Sequence, residues 1–263
     1  IHDSTLVDSI KLGLITIIVG FNFINQEIKK EIIDELKDIL PITSIEEFKE
    51  GIDLMVEYTA PNLSAFNKIH SELIFKYYKN LKPVFVYPVI VSHEYNRDYL
   101  TKKRIESDII LFGDRDVREL SKKEEKLLSE LVLNPNKKII DISDSIKIPV
   151  KTVVKIKKGL EKKFVIKGYS CVLDHTKLKI NRQLILLQFS GGGIKEIDKF
   201  YEFTKKRKEI IEFTKVIGKS QMIIVVESQK EIDIIKDIRA SFPVEDYLIL
   251  KSDKIHKKKY LPE

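Results

Sequence analysis

The sequence predicts an α+β protein in which two ferredoxin-like domains, each of order β-α-β-β-α-β, flank a winged helix-turn-helix domain. Three observations predict this fold: a short motif that recurs 166 residues later, the same succession of strands and helices after each copy, and a basic helical insert between the copies. The predicted boundaries are 1–100 and 170–263 for the ferredoxin-like domains, 121–169 for the winged helix-turn-helix domain and 101–120 for a linker.

The repeated motif marks the start of each ferredoxin-like domain. Its recurring residues are Ser4, Asp8, Lys11 and Leu12 in the first copy and Ser170, Asp174, Lys177 and Leu178 in the second. An apolar strand follows each copy, at 14–23 and at 184–189, and an amphipathic helix follows each strand, at 26–40 and at 194–206.

Two strands, a second helix and a last strand complete each predicted unit. They are expected near 42–48, 52–59, 62–81 and 84–92 in the first unit and near 209–216, 222–227, 230–241 and 247–252 in the second. The two helices of each unit can cover only one face of its sheet. We therefore expect the other face to be buried against the second sheet of the same kind.

The insert between the repeats predicts three short helices and a wing. Ser121 and Glu124 form a capping box at the start of the first helix, and a short second helix is expected at 139–146. Pro149 suits the start of a third helix at 150–163, because proline lacks the N–H that a first turn leaves unpaired. Residues 164–169 are then expected to form the wing.

Charge is distributed unevenly along the chain. The formal net charge of +7 divides into −5 for residues 1–100, +7 for 101–168 and +5 for 169–263. A compact basic segment is typical of a module that binds a polyanion, and equally of a lysine-rich surface exposed to water. The three consecutive lysines at 257–259 are expected to be solvated.

Several classes of protein and site are disfavoured by composition. No apolar run reaches the roughly 18 residues that a membrane span needs, so a cytoplasmic protein is expected. The single cysteine, Cys171, excludes an intrachain disulfide, and five scattered histidines do not suggest a metal site. His175 follows Asp174, but spacing alone does not make a catalytic group, and a structural or surface histidine is expected. No cofactor, metal ligand or catalytic residue is predicted.

The segment from Pro149 to Tyr169, with the Leu173-Asp174 and Lys177-Leu178 pairs that follow it, resembles the Lrp/AsnC feast/famine transcription regulators. It is similar to the recognition helix of that family and to the junction with its effector domain. The resemblance covers residues 121–263 as one complete unit and 1–100 as a second effector domain. It implies that the ferredoxin-like domains are RAM effector domains, which dimerise through their sheets and bind amino acids or related small molecules. The constant offset of the repeat also suggests a further helix-turn-helix before Ile1.

The predicted function is therefore sequence-specific DNA binding by a transcription regulator, not an enzyme. Its expected partners are double-stranded DNA, a small effector and a second copy of the chain, as a homodimer or higher oligomer. The candidate DNA-binding residues are Lys147, Lys151, Thr152, Lys155, Lys158, Lys162, Lys163 and Lys167. The candidate effector-binding residues, at the position of the family's effector loop, are Gly218, Lys219, Ser220 and Gln221.

Two alternatives remain open at this point. One is a metabolite-sensing or protein-interaction module whose helix-turn-helix has become a dimerisation element, because Gly159 and Val154 depart from the pattern of a recognition helix. The other is an enzyme, because some proteins that resemble this family decarboxylate modified tetrapyrroles. Against the enzyme, the sequence shows no set of histidine, arginine and tyrosine residues that visibly converge.

Overall fold

The computed structural model describes residues 2–101, 107–113, 116–191 and 194–262. The first half of the chain contains β1 (His2–Val7), β2 (Ile15–Phe23), α1 (Lys29–Asp38), β3 (Ile42–Glu50), β4 (Leu54–Ala60), α2 (Leu63–Tyr77) and β5 (Leu81–Tyr95). The middle segment contains β6 (Asp108–Leu111), α3 (Lys122–Leu133), α4 (Ile139–Ile146), α5 (Val150–Lys162) and β7 (Ile166–Val172). The second half contains β8 (Asn181–Phe189), α6 (Ile194–Lys206), β9 (Ile210–Val216), β10 (Met222–Ser228), α7 (Ile234–Ser241) and β11 (Val244–Lys258).

Each half has the strand order of a ferredoxin-like sheet. Neighbouring strands run β5-β2-β4-β3 in the first half and β11-β8-β10-β9 in the second, and every pairing is antiparallel. The predicted α+β class is therefore confirmed. The finer prediction, two RAM domains that flank a winged helix-turn-helix, stays a prediction.

The last strand of each half crosses into the other half. β5 pairs with β2 up to Pro88 and with β9 from Val89 onward. β11 pairs with β8 up to Lys251 and with β3 from there to its end. These crossings join eight strands into a closed ring, to which β6 adds on the outer edge of β5. Both strands are 15 residues long, well beyond the lengths expected from the sequence, because each carries two consecutive pairing partners.

The inner faces of the two sheets bury a shared core. Apolar side chains of both halves meet there, among them Ile18, Met55, Leu184, Ile223 and Leu250. Separate cores lie between each sheet and its own outer helices. The layers are therefore helices, sheet, sheet and helices, as the need to bury the second face of each sheet predicts.

The two copies of the repeated motif pair with each other. β1 and β7 form a two-stranded antiparallel sheet in which Ser4 lies opposite Ser170, its equivalent in the repeat. This register places a local two-fold axis between the two serines. Residues 166–172 thus pair with the N-terminal strand, whereas the sequence predicts that 164–169 form a wing.

Helices α3, α4 and α5 pack with β1 and β7 around one apolar core. The predicted capping box is present: the Ser121 amide donates to Glu124 Oε2 over 2.9 Å, and the Glu124 amide donates to Ser121 Oγ over 3.4 Å. The stretch predicted as a linker contains β6, while residues 102–106 and 114–115 of it lie outside the described residues.

Candidate functional site

A cavity of about 690 Å³ lies between the segment that follows β7 and the C-terminal end of strand β11. Such a volume is within the range of about 300–1,000 Å³ that is usual for small-molecule sites. Its lining residues are Val172, Leu173, Asp174, His175, Thr176, Lys177, Asp253, Lys254, Ile255, His256, Lys257, Lys258 and Lys259. Five lysines and two histidines thus face two aspartates, and three aliphatic side chains complete the wall. We call this the basic cavity.

The lysines at 257–259 are part of β11 and its end, and they are not the solvated tail that the sequence predicts. All three are partly buried. Lys257 Nζ donates to the main-chain carbonyl of Lys37 over 2.8 Å, which ties β11 to the end of α1. Burial, together with the charge of Lys259, lowers the pKa of Lys257 to about 8, and the charge of Asp38 opposes this shift. Lys257 can therefore exchange a proton close to neutral pH.

His175 lies in the wall of the basic cavity and is only 4% exposed. Burial, and then the charge of Arg182, lowers the pKa of this histidine, so the imidazole is neutral at neutral pH. The main chain of Ser252 hydrogen-bonds the ring, and Nε2 has no partner among the described residues. The sequence predicted a structural or surface histidine, and the structure makes it a buried wall residue with one open nitrogen.

A buried network of charges lies behind the cavity, between the two sheets. Arg182 donates to Glu46 through Nε and a terminal nitrogen, over 2.7 and 3.1 Å, and to Glu227 over 2.8 Å. The second oxygen of Glu227 accepts from Arg97 Nε and from the Tyr99 hydroxyl, each over 2.8 Å. Although burial opposes ionisation, the charge of Arg182 holds the pKa of both carboxyls below the ordinary value. The network links β3 of the first half to β8 and β10 of the second.

Both halves end in a basic residue followed, two positions later, by Tyr-Leu. In the first half Arg97 precedes Tyr99 and reaches Glu227 on β10. In the second half Lys258 precedes Tyr260 and lies 3.1 Å from Glu57 on β4. Each half therefore contributes a cation to a buried carboxylate of the other half. Together with His175, these groups are the convergent histidine, arginine and tyrosine residues that sequence reasoning missed.

A second cavity, of about 430 Å³, lies where β5 ends beside β6 and the C-terminus of α6. Its wall includes four consecutive basic residues, 205–208, and three acidic ones, Asp98, Asp108 and Glu202. Asp108 accepts from the Tyr201 hydroxyl and lies 2.8 Å from His93 Nδ1. This cavity is smaller and more evenly charged than the basic cavity.

The predicted DNA-binding residues lie on α5 and β7 or directly after α4 and α5, and none of them lines either cavity. Lys163 Nζ is 2.7 Å from Glu124, and Lys167 Nζ is 3.4 Å from the buried Asp8, so these two lysines are ion-paired within the protein. Thr152 is partly buried on α5. The remaining exposed lysines of the set are Lys147, Lys151, Lys155, Lys158 and Lys162.

The predicted effector-binding residues form the turn between β9 and β10, which packs against β5 of the other half. A Cβ on Gly218 would lie 2.2 Å from the Tyr87 ring, and the Ser220 amide donates to the Tyr87 hydroxyl over 3.3 Å. Lys219 Nζ is 2.7 Å from Asp246, and the Gln221 side chain accepts from the Phe189 amide over 2.9 Å. The contacts of this turn are thus made within the protein, and its effector role stays a prediction.

Two solved structures share the fold over almost the whole chain. The siroheme decarboxylase NirDL, in complex with an iron-uroporphyrin III analogue, superposes with a TM-score of 0.64 at 12% identity over 99% of this chain and 78% of its own. NirDL without that ligand gives a TM-score of 0.62 at 11% identity, with the same shares covered. An AsnC family transcriptional regulator from Agrobacterium tumefaciens covers 53% of this chain and 94% of its own, with a TM-score of 0.47 at 15% identity. At these identities the matches describe the fold.

No protein family profile matches the sequence, and no curated protein matches it. In the part of the chain that the structure describes, no helix is long and apolar enough to cross a membrane.

The prediction that the chain is a transcription regulator and not an enzyme is wrong on these matches. The structures that share its fold over 99% of its length are those of an enzyme. The resemblance to Lrp/AsnC regulators rests on the residues around the α5–β7 junction. The prediction of a transcription regulator extended the resemblance at that junction to the whole protein.

Proposed function

We propose that this protein is an enzyme that removes CO2 from the carboxylate-bearing side chains of an iron tetrapyrrole of the siroheme type. The observation that carries the proposal is the fold shared over 99% of the chain with a siroheme decarboxylase, itself seen in complex with an iron-uroporphyrin III analogue. The basic cavity supports it, because its size and charge suit a large anionic ring.

The lining of the basic cavity offers two kinds of contact to such a substrate. Val172, Leu173 and Ile255 offer apolar surface to the ring. Lys177 and Lys254 are exposed at its edge and can pair with ring carboxylates through charge-assisted hydrogen bonds. His175 lies behind this lining, with Nε2 buried, and its neutral ring adds no charge to the wall. The cavity thus combines an apolar wall with cations placed around it, as a polycarboxylate ring requires.

Decarboxylation needs a proton donor, and we assign Lys257 to this role. When the bond between the carboxyl carbon and the side-chain carbon breaks, CO2 leaves. The electron pair of the broken bond remains on the side-chain carbon. A proton from the Lys257 ammonium then completes the new C–H bond and leaves a neutral amine. A pKa of about 8 suits this step, because the group is protonated at neutral pH and still releases a proton readily.

Binding of iron-uroporphyrin III, followed by the change in its visible absorbance, tests the site. We expect Lys257→Met, which keeps the aliphatic stem, to weaken binding about 10- to 150-fold, because a hydrogen bond to a charged group contributes about 1.5–3 kcal/mol. Lys206→Met in the second cavity is the matched control and should bind as the wild type does. If Lys257→Met binds as tightly as Lys206→Met, the basic cavity is not the binding site.

The finer sequence predictions on partners stay predictions. They are double-stranded DNA, an amino acid or related effector at residues 218–221, and assembly as a homodimer or higher oligomer. The proposed enzyme activity does not depend on any of them.

A further inference from the structure

Two glutamates lie directly opposite each other where β5 crosses into the second half. Glu94 on β5 and Glu212 on β9 are partners in the antiparallel register. Side chains directly opposite each other on neighbouring strands have Cβ atoms about 4.5–5.5 Å apart. Two ionised carboxylates at that separation repel each other, and such pairs commonly retain one proton between them.

The groups that surround this pair do not supply a full counter-charge. The Tyr260 hydroxyl donates to Glu94 Oε1, and Thr214 Oγ1 donates to Glu212 Oε1 over 3.0 Å. The facing ionisable groups are Lys258 from β11, Arg97 from the segment after β5, Glu57 from β4 and Arg182 from β8. Arg182 is bound to Glu46 and Glu227. Lys258 is bound to Glu57 and Arg97 to Glu227, so all three cations already have carboxylate partners.

A small polar cavity of about 30 Å³ lies beside the pair, and Glu94, Glu212 and Tyr260 are in its wall. That volume is about the share of one water molecule in the liquid. The small cavity has three wall residues in common with the basic cavity, namely Val172, Ile255 and Lys258. A water molecule there would stand between the two carboxyls and the wall of the basic cavity.

We propose that Glu94 and Glu212 hold one proton between them and return it to the basic cavity after each decarboxylation. The second part rests on the proposed function. Each CO2 released consumes one proton, which Lys257 gives to carbon. The carboxyl pair then reprotonates the neutral Lys257 amine through the small cavity, and it recovers its own proton from solvent.

The proton affinities of the two groups are close. Burial, and then the charge of Glu212, raises the pKa of Glu94 to about 7, against the opposing effects of Lys258, Tyr260 and Arg97. The acceptor, Lys257, has a pKa of about 8. A proton can therefore pass between the carboxyl pair and the amine near neutral pH.

The first test measures the proton itself and does not depend on activity. In infrared spectra of the full chain, the signal of a protonated carboxyl should titrate near neutral pH in the wild type. Glu94→Gln should abolish this titration, Glu212→Gln should move it to lower pH, and Glu50→Gln at an exposed position should leave it unchanged. A titration that survives in Glu94→Gln would overturn the proposal.

The stability of the same variants gives an independent readout. Because the pKa of Glu94 is raised in the folded state, the stability it contributes is present at low pH and falls as pH rises from about 4.5 to about 7. In urea unfolding, Glu94→Gln should therefore gain stability relative to the wild type across that window. A constant difference between the two proteins would contradict a shared proton.

The second test follows CO2 release from siroheme by rapid mixing. Glu94→Gln should show a burst of one turnover followed by a steady rate about tenfold lower than that of the wild type, which shows no burst. Identical time courses would overturn the resupply role. If the wild type releases no CO2 from this substrate, the proposed function fails, whereas the infrared and stability results still decide whether the proton is shared.

Discussion

At the scale of single residues, Arg182 determines whether the buried carboxylates of both halves are balanced. It is 8% exposed and contacts Glu46 and Glu227 at distances of 2.7–3.1 Å. No local pattern in the sequence identified it, because its partners lie 136 and 45 residues away along the chain. From the sequence alone, an arginine near the start of a strand is expected to lie on the surface.

Arg182→Ala should lower the free energy of unfolding by about 3–5 kcal/mol, because it removes the cation bound to the buried Glu46 and leaves the buried Glu227 with Arg97 alone. Urea denaturation at neutral pH measures this change. Arg239→Ala, at an exposed position on α7, is the control and should stay within about 0.5 kcal/mol of the wild type. A loss in Arg182→Ala no larger than that of the control would mean that water reaches the network and screens it.

At the scale of secondary structure elements, sequence periodicity located most helices and strands but misjudged the longest strands. The apolar spacing of Ile32, Ile33 and Leu36 correctly placed α1, and the capping box correctly placed the start of α3. The predicted strands stop at 92 and 252, and the C-terminal ends of β5 and β11, 93–95 and 253–258, escaped prediction because they carry polar residues such as Glu94 and Lys254. Those residues face the buried network and the basic cavity instead of an apolar core. The usual alternation of apolar and polar side chains along a strand is therefore lost.

The turn between β9 and β10 should respond to a single added methyl group. Gly218→Ala places a Cβ 2.2 Å from the Tyr87 ring, so the ring or the turn must move, and overpacking of this kind costs about 1–3 kcal/mol. Thermal or urea unfolding measures the loss. In a Tyr87→Ala background the same change should cost much less, because the ring is absent. An equal cost in both backgrounds would show that the glycine is required for a reason other than this contact.

At the scale of the whole molecule, the candidate functional site arises because the two halves exchange their last strands. The basic cavity is formed by β11 together with the segment after β7, and the charges behind it come from β3, β8, β10 and the segment after β5. The repeat, the strand order and the packing of two sheets could all be predicted from the sequence. The site could not, because its residues come from distant segments that meet only after strand exchange.

The most direct test of the account is the mass of siroheme after incubation with the full chain. We predict products that have lost CO2, formed by the wild type and by Lys206→Met but not by Lys257→Met. An unchanged tetrapyrrole in all three samples, under conditions in which absorbance shows that it is bound, would contradict the proposed decarboxylation. Equal product from Lys257→Met and the wild type would contradict the assignment of Lys257 as the proton donor.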